Sequence, residues 1–185
     1  NPTDDSLSET YDKGATAIGG QPAIFNNKAY FSLGDAVDMQ ELTTVNTPPT
    51  DDTFTTATGV KALHMTVVND LLWRGFNTAQ VSSCSTTPTT SGNWGSAYPF
   101  GDPGKKITSL AEYGRWLYMG KEDGAYSGDE EGNAKQLLPE IRVITDSTNC
   151  HGMTVWHGYL FIPHKGGLYR HTIDGGSRPI GPEEA

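Results

Sequence analysis

The run from Tyr113 to Gly132 reads Tyr-Gly-Arg-Trp-Leu-Tyr-Met-Gly-Lys-Glu-Asp-Gly-Ala-Tyr-Ser-Gly-Asp-Glu-Glu-Gly. It divides into two short strands joined by a tight turn. Trp116 to Met119 is a compact, nearly all-apolar run. Gly120 and the corner Lys121-Glu122-Asp123-Gly124 turn the chain, and Ala125-Tyr126 begins the return. Asp-Gly between apolar runs signals a hairpin, because glycine takes a positive φ without steric cost.

The same grammar recurs outward from this stretch. A short strand, a polar corner and a more apolar strand appear as Ala23-Ile24-Phe25, Asn26-Asn27-Lys28, Ala29-Tyr30-Phe31-Ser32-Leu33-Gly34. They return at Met65–Val68, Asn69-Asp70, Leu71–Gly75, and at Leu110–Tyr113, Gly114-Arg115, Trp116–Gly120. The last copy is Met153–Trp156, His157-Gly158, Tyr159–Pro163. Phe31, Trp73, Tyr118 and Phe161 then stand as equivalents, 42, 45 and 43 residues apart. A third strand follows in each unit, at Val37-Asp38-Met39, Gln80-Val81-Ser82, Ala125-Tyr126-Ser127 and Leu168-Tyr169-Arg170. An all-strand unit of this size cannot bury both faces alone. Radial stacking solves that problem and predicts an all-β, β-propeller-like array of about four antiparallel blades. A β-sandwich with regularly spaced strands is the competitor. The propeller is preferred because corners and glycines repeat along with hydrophobicity.

The predicted blades are about 21–60, 61–106, 107–149 and 150–185, after a linker or entry strand over 1–20. Thr/Pro/Ser/Gly stretches at 43–58 and 82–106 read as oversized loops, and the segment from Gln136 to Ile144 tolerates a turn of helix. Four blades is at the small end for a ring, so the array is expected to be whole or part of a larger one. In an arc, neighbouring chains or further sequence must cover the open edges. The chain opens Asn-Pro-Thr-Asp-Asp with no basic-then-apolar leader, so we expect a processed product or the ordered part of something longer.

Composition narrows the partners. A net charge of −9 repels phosphate backbones, so no nucleic-acid partner is expected. No window of roughly 18 apolar residues exists, so no membrane insertion is expected. Cys84 and Cys150 show neither a C-x-x-C nor a zinc spacing, and stand as two buried thiols or one disulfide. There is no Gly-x-Ser-x-Gly, P-loop or dinucleotide fingerprint, and no cofactor is expected.

Several groups are candidates for chemistry. Arg74, Arg115 and Arg170 lie at or beside strands of different blades, the residue type that clamps a carboxylate, but single arginines there are commonly surface residues. His151, His157, His164 and His171 recur through the fourth unit without acidic or thiol partners at matching spacing. Solvent positions are expected for them and no metal site. Glu122, Asp123, Asp129, Glu130 and Glu131 cluster, either as a solvated acidic turn or as carboxylates paired for acid/base work. The Gly/Pro-rich loop 91–102 carries Trp94, Tyr98 and Phe100, the candidates for ligand or partner contact. They either display on the rim or fold back to plug a gap between blades. No catalytic residue is assigned.

Two resemblances add to these patterns. Thr172, Asp174 and Gly176 resemble the start of the Asp-box hairpin of sialidase-like propellers, Ser/Thr-x-Asp-x-Gly-x-x-Trp, with Pro179 at the aromatic position. That motif is a structural turn, in which Asp accepts backbone N–H bonds and Gly supplies positive φ. The Arg-Ile-Pro motif of the enzymes is missing. The run from Ile107 to Gly181 is similar to propeller proteins of tailed phages. This resemblance implies a non-enzymatic structural or adhesion module of a virion (tail or other surface component), or an extracellular setting. Its expected partners are other virion proteins or copies of itself, and a host-surface glycan or protein. The alternatives are a secreted sialidase-like or other propeller glycosidase, and an intracellular protein-interaction propeller.

Overall fold

The computed structural model describes residues 19–44, 53–129, 133–138, 145–165 and 167–181. Blade I is built from β1 (Ala23–Phe25), β2 (Lys28–Phe31), β3 (Gly34–Thr44) and β4 (Thr53–Ala62). Blade II holds β5 (His64–Val68), β6 (Leu71–Phe76), β7 (Gln80–Cys84) and β8 (Tyr98–Pro99). Blade III holds β9 (Ile107–Tyr113), β10 (Trp116–Lys121), β11 (Gly124–Gly128) and β12 (Ala134–Gln136). Blade IV holds β13 (Thr154–Trp156), β14 (Tyr159–His164), β15 (Gly167–His171) and β16 (Ser177–Ile180). Each sheet is a simple antiparallel meander. Among the described residues no helix is long and apolar enough to cross a membrane.

The corners explain the meander. Asn26-Asn27, Asn69-Asp70, Gly114-Arg115 and His157-Gly158 all lie at positive φ, between 46° and 76°. Two successive residues of that kind make a type I′ turn, whose twist matches that of the flanking strands. Each turn joins the first and second strands of its blade, with Phe25 opposite Lys28, Val68 opposite Leu71, Tyr113 opposite Trp116 and Trp156 opposite Tyr159. The first strands then meet in blade order: β1 lies against β5, β5 against β9, and β9 against β13.

That register corrects one expectation. The first corner is Asn26-Asn27 alone, so Lys28 already belongs to the strand and the equivalent of Trp73 is Tyr30, not Phe31. A slip of one residue moves a side chain to the opposite face. Tyr30 is buried with Met65 and Leu72 between blades I and II. Trp73 packs with Leu110, Leu117 and Met119 between II and III. Tyr118 packs with Leu160 and Ile162 between III and IV. In blades I to III the third residue of the second strand therefore faces the following blade, and in blades II to IV the second residue faces the preceding one.

Two loop expectations also change. Much of the Thr-rich stretch 43–58 is strand: β4 begins at Thr53, and Ala57 and Val60 are fully buried. Within 82–106 the chain completes β7, makes a short 3-10 turn at Ser91–Asn93 and returns as β8. Gln136 ends a strand, and residues 139–144, like 1–18, lie outside the described ones. Cys84 and Cys150 are buried free thiols, and burial pushes Cys150 up to about 12.

Two buried histidines, His164 and His171, and the half-buried His64 couple this core to pH. Burial, with His151 nearby, holds His64 down to about 4, and burial also lowers His164 and His171. The unfolded chain takes up those protons near pH 6.5, before the folded one does. Their contribution is fully present above pH 6.5 and is lost as pH falls through the lowered folded values, which for His64 is about 4. Urea midpoints are expected to drop between pH 7.5 and 4.5. A flat profile would show that these imidazoles are solvated.

Candidate functional site

The type I′ corners and the loops between third and fourth strands share one end of the array, because Leu117 at the start of β10 pairs with Gly128 at the end of β11. Two grooves open there, on either side of Trp116. The first, about 600 Å³, is lined by Val68, Asn69, Trp73, Arg115, Trp116 and Asp129. The second, about 400 Å³, is lined by Trp116, Tyr118, Lys135, His171, Ile173 and Asp174 among others. Trp116, Gly128 and Asp129 border both.

Trp116 is the first residue after its corner and is 51% exposed. The corner beneath it is braced: Arg115 N–H donates to Glu112 Oε1 at 2.7 Å, and Asn69 Nδ2 donates to the Arg115 carbonyl at 3.1 Å. On the other side of the blade, Asp129 accepts from the Asn133 N–H and Nδ2 at 3.0 and 2.9 Å. Trp73 is buried at the wall of the first groove, and its indole Nε1–H finds no partner among the described residues. In the second groove the His171 ring lies 5.5 Å from that of Tyr118, and its Nδ1 is 2.8 Å from Ser177 Oγ. Burial raises Tyr118 and lowers His171, so both are neutral near pH 7. A flat indole edged by guanidinium, ammonium, amide and carboxylate groups suits a ligand with both apolar faces and hydroxyls.

The expected contact residues are placed elsewhere. Phe100 is fully buried against the backbone of Gly128, where a Cβ would overlap its ring. Tyr98 stacks between Trp73 and Phe100, at 6.3 and 5.7 Å. Trp94 donates to the Pro88 carbonyl at 2.9 Å and lies under the Arg74 guanidinium at 4.3 Å. Tyr98 and Phe100 fold back into the gap between blades II and III, while Trp94 packs on the core between blades I and II, so Phe100 presents no surface to a partner.

Other candidates separate in the same way. Arg74 is buried, donating to Ser82 Oγ and the Lys61 carbonyl, while Arg170 lies over Tyr159 on blade IV. They belong to different blade faces and form no clamp. Glu122 and Asp123 sit before β11 and Asp129 after it, so the acidic run is split by roughly 20 Å of extended chain. That is far beyond the spacing of a glycosidase pair. Glu130 and Glu131 lie outside the described residues. His151 and His157 are exposed as expected, but His164 and His171 are buried.

Thr172, Asp174 and Gly176 do form a turn, joining β15 to β16 at the second groove. Thr172 N–H donates to the Gly176 carbonyl at 2.8 Å, and the Thr172 hydroxyl donates to Asp174 and holds its carboxyl low. The positive φ falls on Gly175, at 93°, instead of Gly176. Trp116 is hidden in the sequence because it opens an apolar run. The clue to it is register, since the equivalent in blade I is the exposed Lys28.

No protein-family model matches the chain, and no curated protein matches it. Solved structures do resemble it. Virginiamycin B lyase from Staphylococcus aureus superposes with a TM-score of 0.63 at 10% identity, over 93% of this chain and 59% of that one. The extracellular domain of the hybrid two-component system BT4673 from B. thetaiotaomicron gives 0.62 at 14%, over 92% and 23%. PorZ, a surface component of the type-IX secretion system of Porphyromonas gingivalis, gives 0.60 at 19%, over 95% and 22%. The chain thus spans between 22% and 59% of these chains. Together with the stacked sheets, they make this a β-propeller-like array of antiparallel blades.

Proposed function

We propose that the chain is a non-catalytic recognition module that holds a glycan in the grooves beside Trp116. The observation that carries this is a half-exposed tryptophan on a braced strand, shared by two grooves with polar walls. The fold has no packing need for an indole at a position where blade I carries Lys28. The setting we favour is the outer surface of a virion, on the likeness of Ile107 to Gly181 to phage propellers. The external placement named for BT4673 and PorZ supports a site outside a cell.

A glycan array read with the full chain is expected to give a specific hit, weakened at least about tenfold by Trp116→Ala. Circular dichroism should stay unchanged, because the side chain is half solvated. An array without hits, or a hit indifferent to the substitution, would refute glycan recognition at this site. Mass spectrometry of purified particles tests the virion setting separately.

A further inference from the structure

His171 ends β15 and stands opposite Ser177 of β16. It is 2% exposed, yet it lines the second groove, with the rings of Tyr113 and Tyr118 against its own at 6.4 and 5.5 Å. Its Nδ1 lies 2.8 Å from Ser177 Oγ, and the Ser177 hydroxyl donates across the blade interface to the Leu137 carbonyl at 3.3 Å. A hydroxyl has one hydrogen to give. Given to Leu137, it leaves Ser177 Oγ as an acceptor, so the hydrogen of the 2.8 Å contact sits on Nδ1. The opposite tautomer would take the Ser177 hydrogen and strip the Leu137 carbonyl of it. A neutral imidazole with its proton on Nδ1 keeps a lone pair on Nε2. Among the described residues the ring's one hydrogen-bond partner is Ser177, and Nε2 is the nitrogen left for the groove.

The carboxylates of this groove are engaged within their own turns. Asp129 accepts from the Asn133 N–H and Nδ2, and Asp174 accepts from the Thr172 hydroxyl. The Lys135 ammonium is a donor, and Trp116 supplies a flat apolar face. From this division of groups we infer that His171 Nε2 is the hydrogen-bond acceptor of the second groove and receives a free hydroxyl of a sugar stacked on Trp116. This names one contact within the glycan reading above and rests on that reading. Ser177 is not a wall of the groove, so it acts as a positioning residue that fixes the tautomer and rotation of the ring. The contact also carries specificity. A lone pair accepts from a hydroxyl and has nothing to offer an ether or ester oxygen at the same point, so a sugar alkylated or acylated there is excluded.

Nitrogen-15 NMR of the full chain with labelled histidine tests the tautomer without any ligand. At about pH 7.5 His171 is expected to show a pyrrole-type Nδ1 and a pyridine-type Nε2, assigned by the signals that His171→Gln removes. A pyridine-type Nδ1 would overturn the inference and leave the Trp116 reading intact. The glycan that the array selects then tests the contact. Adding it to the unaltered chain should move the Nε2 resonance, and an unmoved Nε2 would overturn the contact. His171→Asn keeps an amide donor for Ser177 and removes the group at Nε2, so it should weaken that glycan at least about tenfold with unchanged circular dichroism. His171→Gln sets its amide oxygen near the place of Nε2 and should stay within about threefold of the unaltered chain. Binding by His171→Asn as tight as by the unaltered chain would overturn the contact. An array without hits would overturn glycan recognition and this contact together.

Discussion

Lys121→Ala is expected to lower the unfolding free energy by about 4 kcal/mol, at the upper end of what one substitution does. Lys121 ends β10, beside a register shift, and is fully buried. Its Nζ donates to the carbonyl of Phe100 at 2.6 Å and to that of Asp102. Those carbonyls belong to the segment returning from blade II, so the ammonium ties that segment to blade III. Truncation leaves two carbonyls short of a donor and empties the volume of the stem. Burial holds the Lys121 pKa below its ordinary value, opposed by Asp123, Asp102 and Glu122. Lys121→Met keeps the stem and removes the desolvated charge, so it should cost about half as much. Equal losses for Met and Ala in urea melts would show that the ammonium and its two carbonyl bonds carry the whole effect and that the stem contributes nothing.

Leu160→Ala is expected to cost about 2–4 kcal/mol, and Leu117→Ala the same. Leu160 is fully buried between blades III and IV, and Leu117 holds the equivalent slot between II and III. Each removal opens a cavity that two rigid sheets close only in part. Val155→Ala, on the exposed strand β13, should stay within about 0.5 kcal/mol. Asp51→Ala carries the same expectation from sequence, at a residue outside the described ones. Similar losses at Leu160 and Val155 would show that the buried face is misassigned.

The hairpins were legible because their corners are chemically explicit. Asn-Asn, Asn-Asp, Gly-Arg and His-Gly each place two residues at positive φ, and the last three are the corners that the pattern gave. The period followed from those corners. What misled was length: reading Asn26-Asn27-Lys28 as a three-residue corner moved the blade I aromatic from Tyr30 to Phe31. Strand β4 was hidden because Thr-Phe-Thr-Thr-Ala-Thr-Gly-Val looks like a loop, although threonine is β-branched and favours a pleated surface.

The site was less legible than the fold. The Gly, Ser and Pro around Trp94, Tyr98 and Phe100 left display and gap-filling both open, and for Phe100 what decides burial is Gly128 on the next blade. No local pattern records that contact, since it joins residues of two sheets. Trp116 was legible only after the register was known, from the side of the corner on which it falls. The acidic run looked like one cluster because it is contiguous in sequence. A strand through its middle carries its two halves to opposite ends of the blade.

The central claim is that consecutive units meet as stacked sheets, each aromatic against the next blade. A double-mutant cycle on Tyr118 and His171, whose rings lie 5.5 Å apart across the interface of blades III and IV, measures that adjacency directly. Stacked blades predict a coupling of about 0.5–1.5 kcal/mol for Tyr118→Leu with His171→Leu. They predict additivity within about 0.5 kcal/mol for Trp73→Leu with His171→Leu, which belong to different interfaces. Additive losses at Tyr118 and His171, or coupling between Trp73 and His171, would contradict the order of the blades.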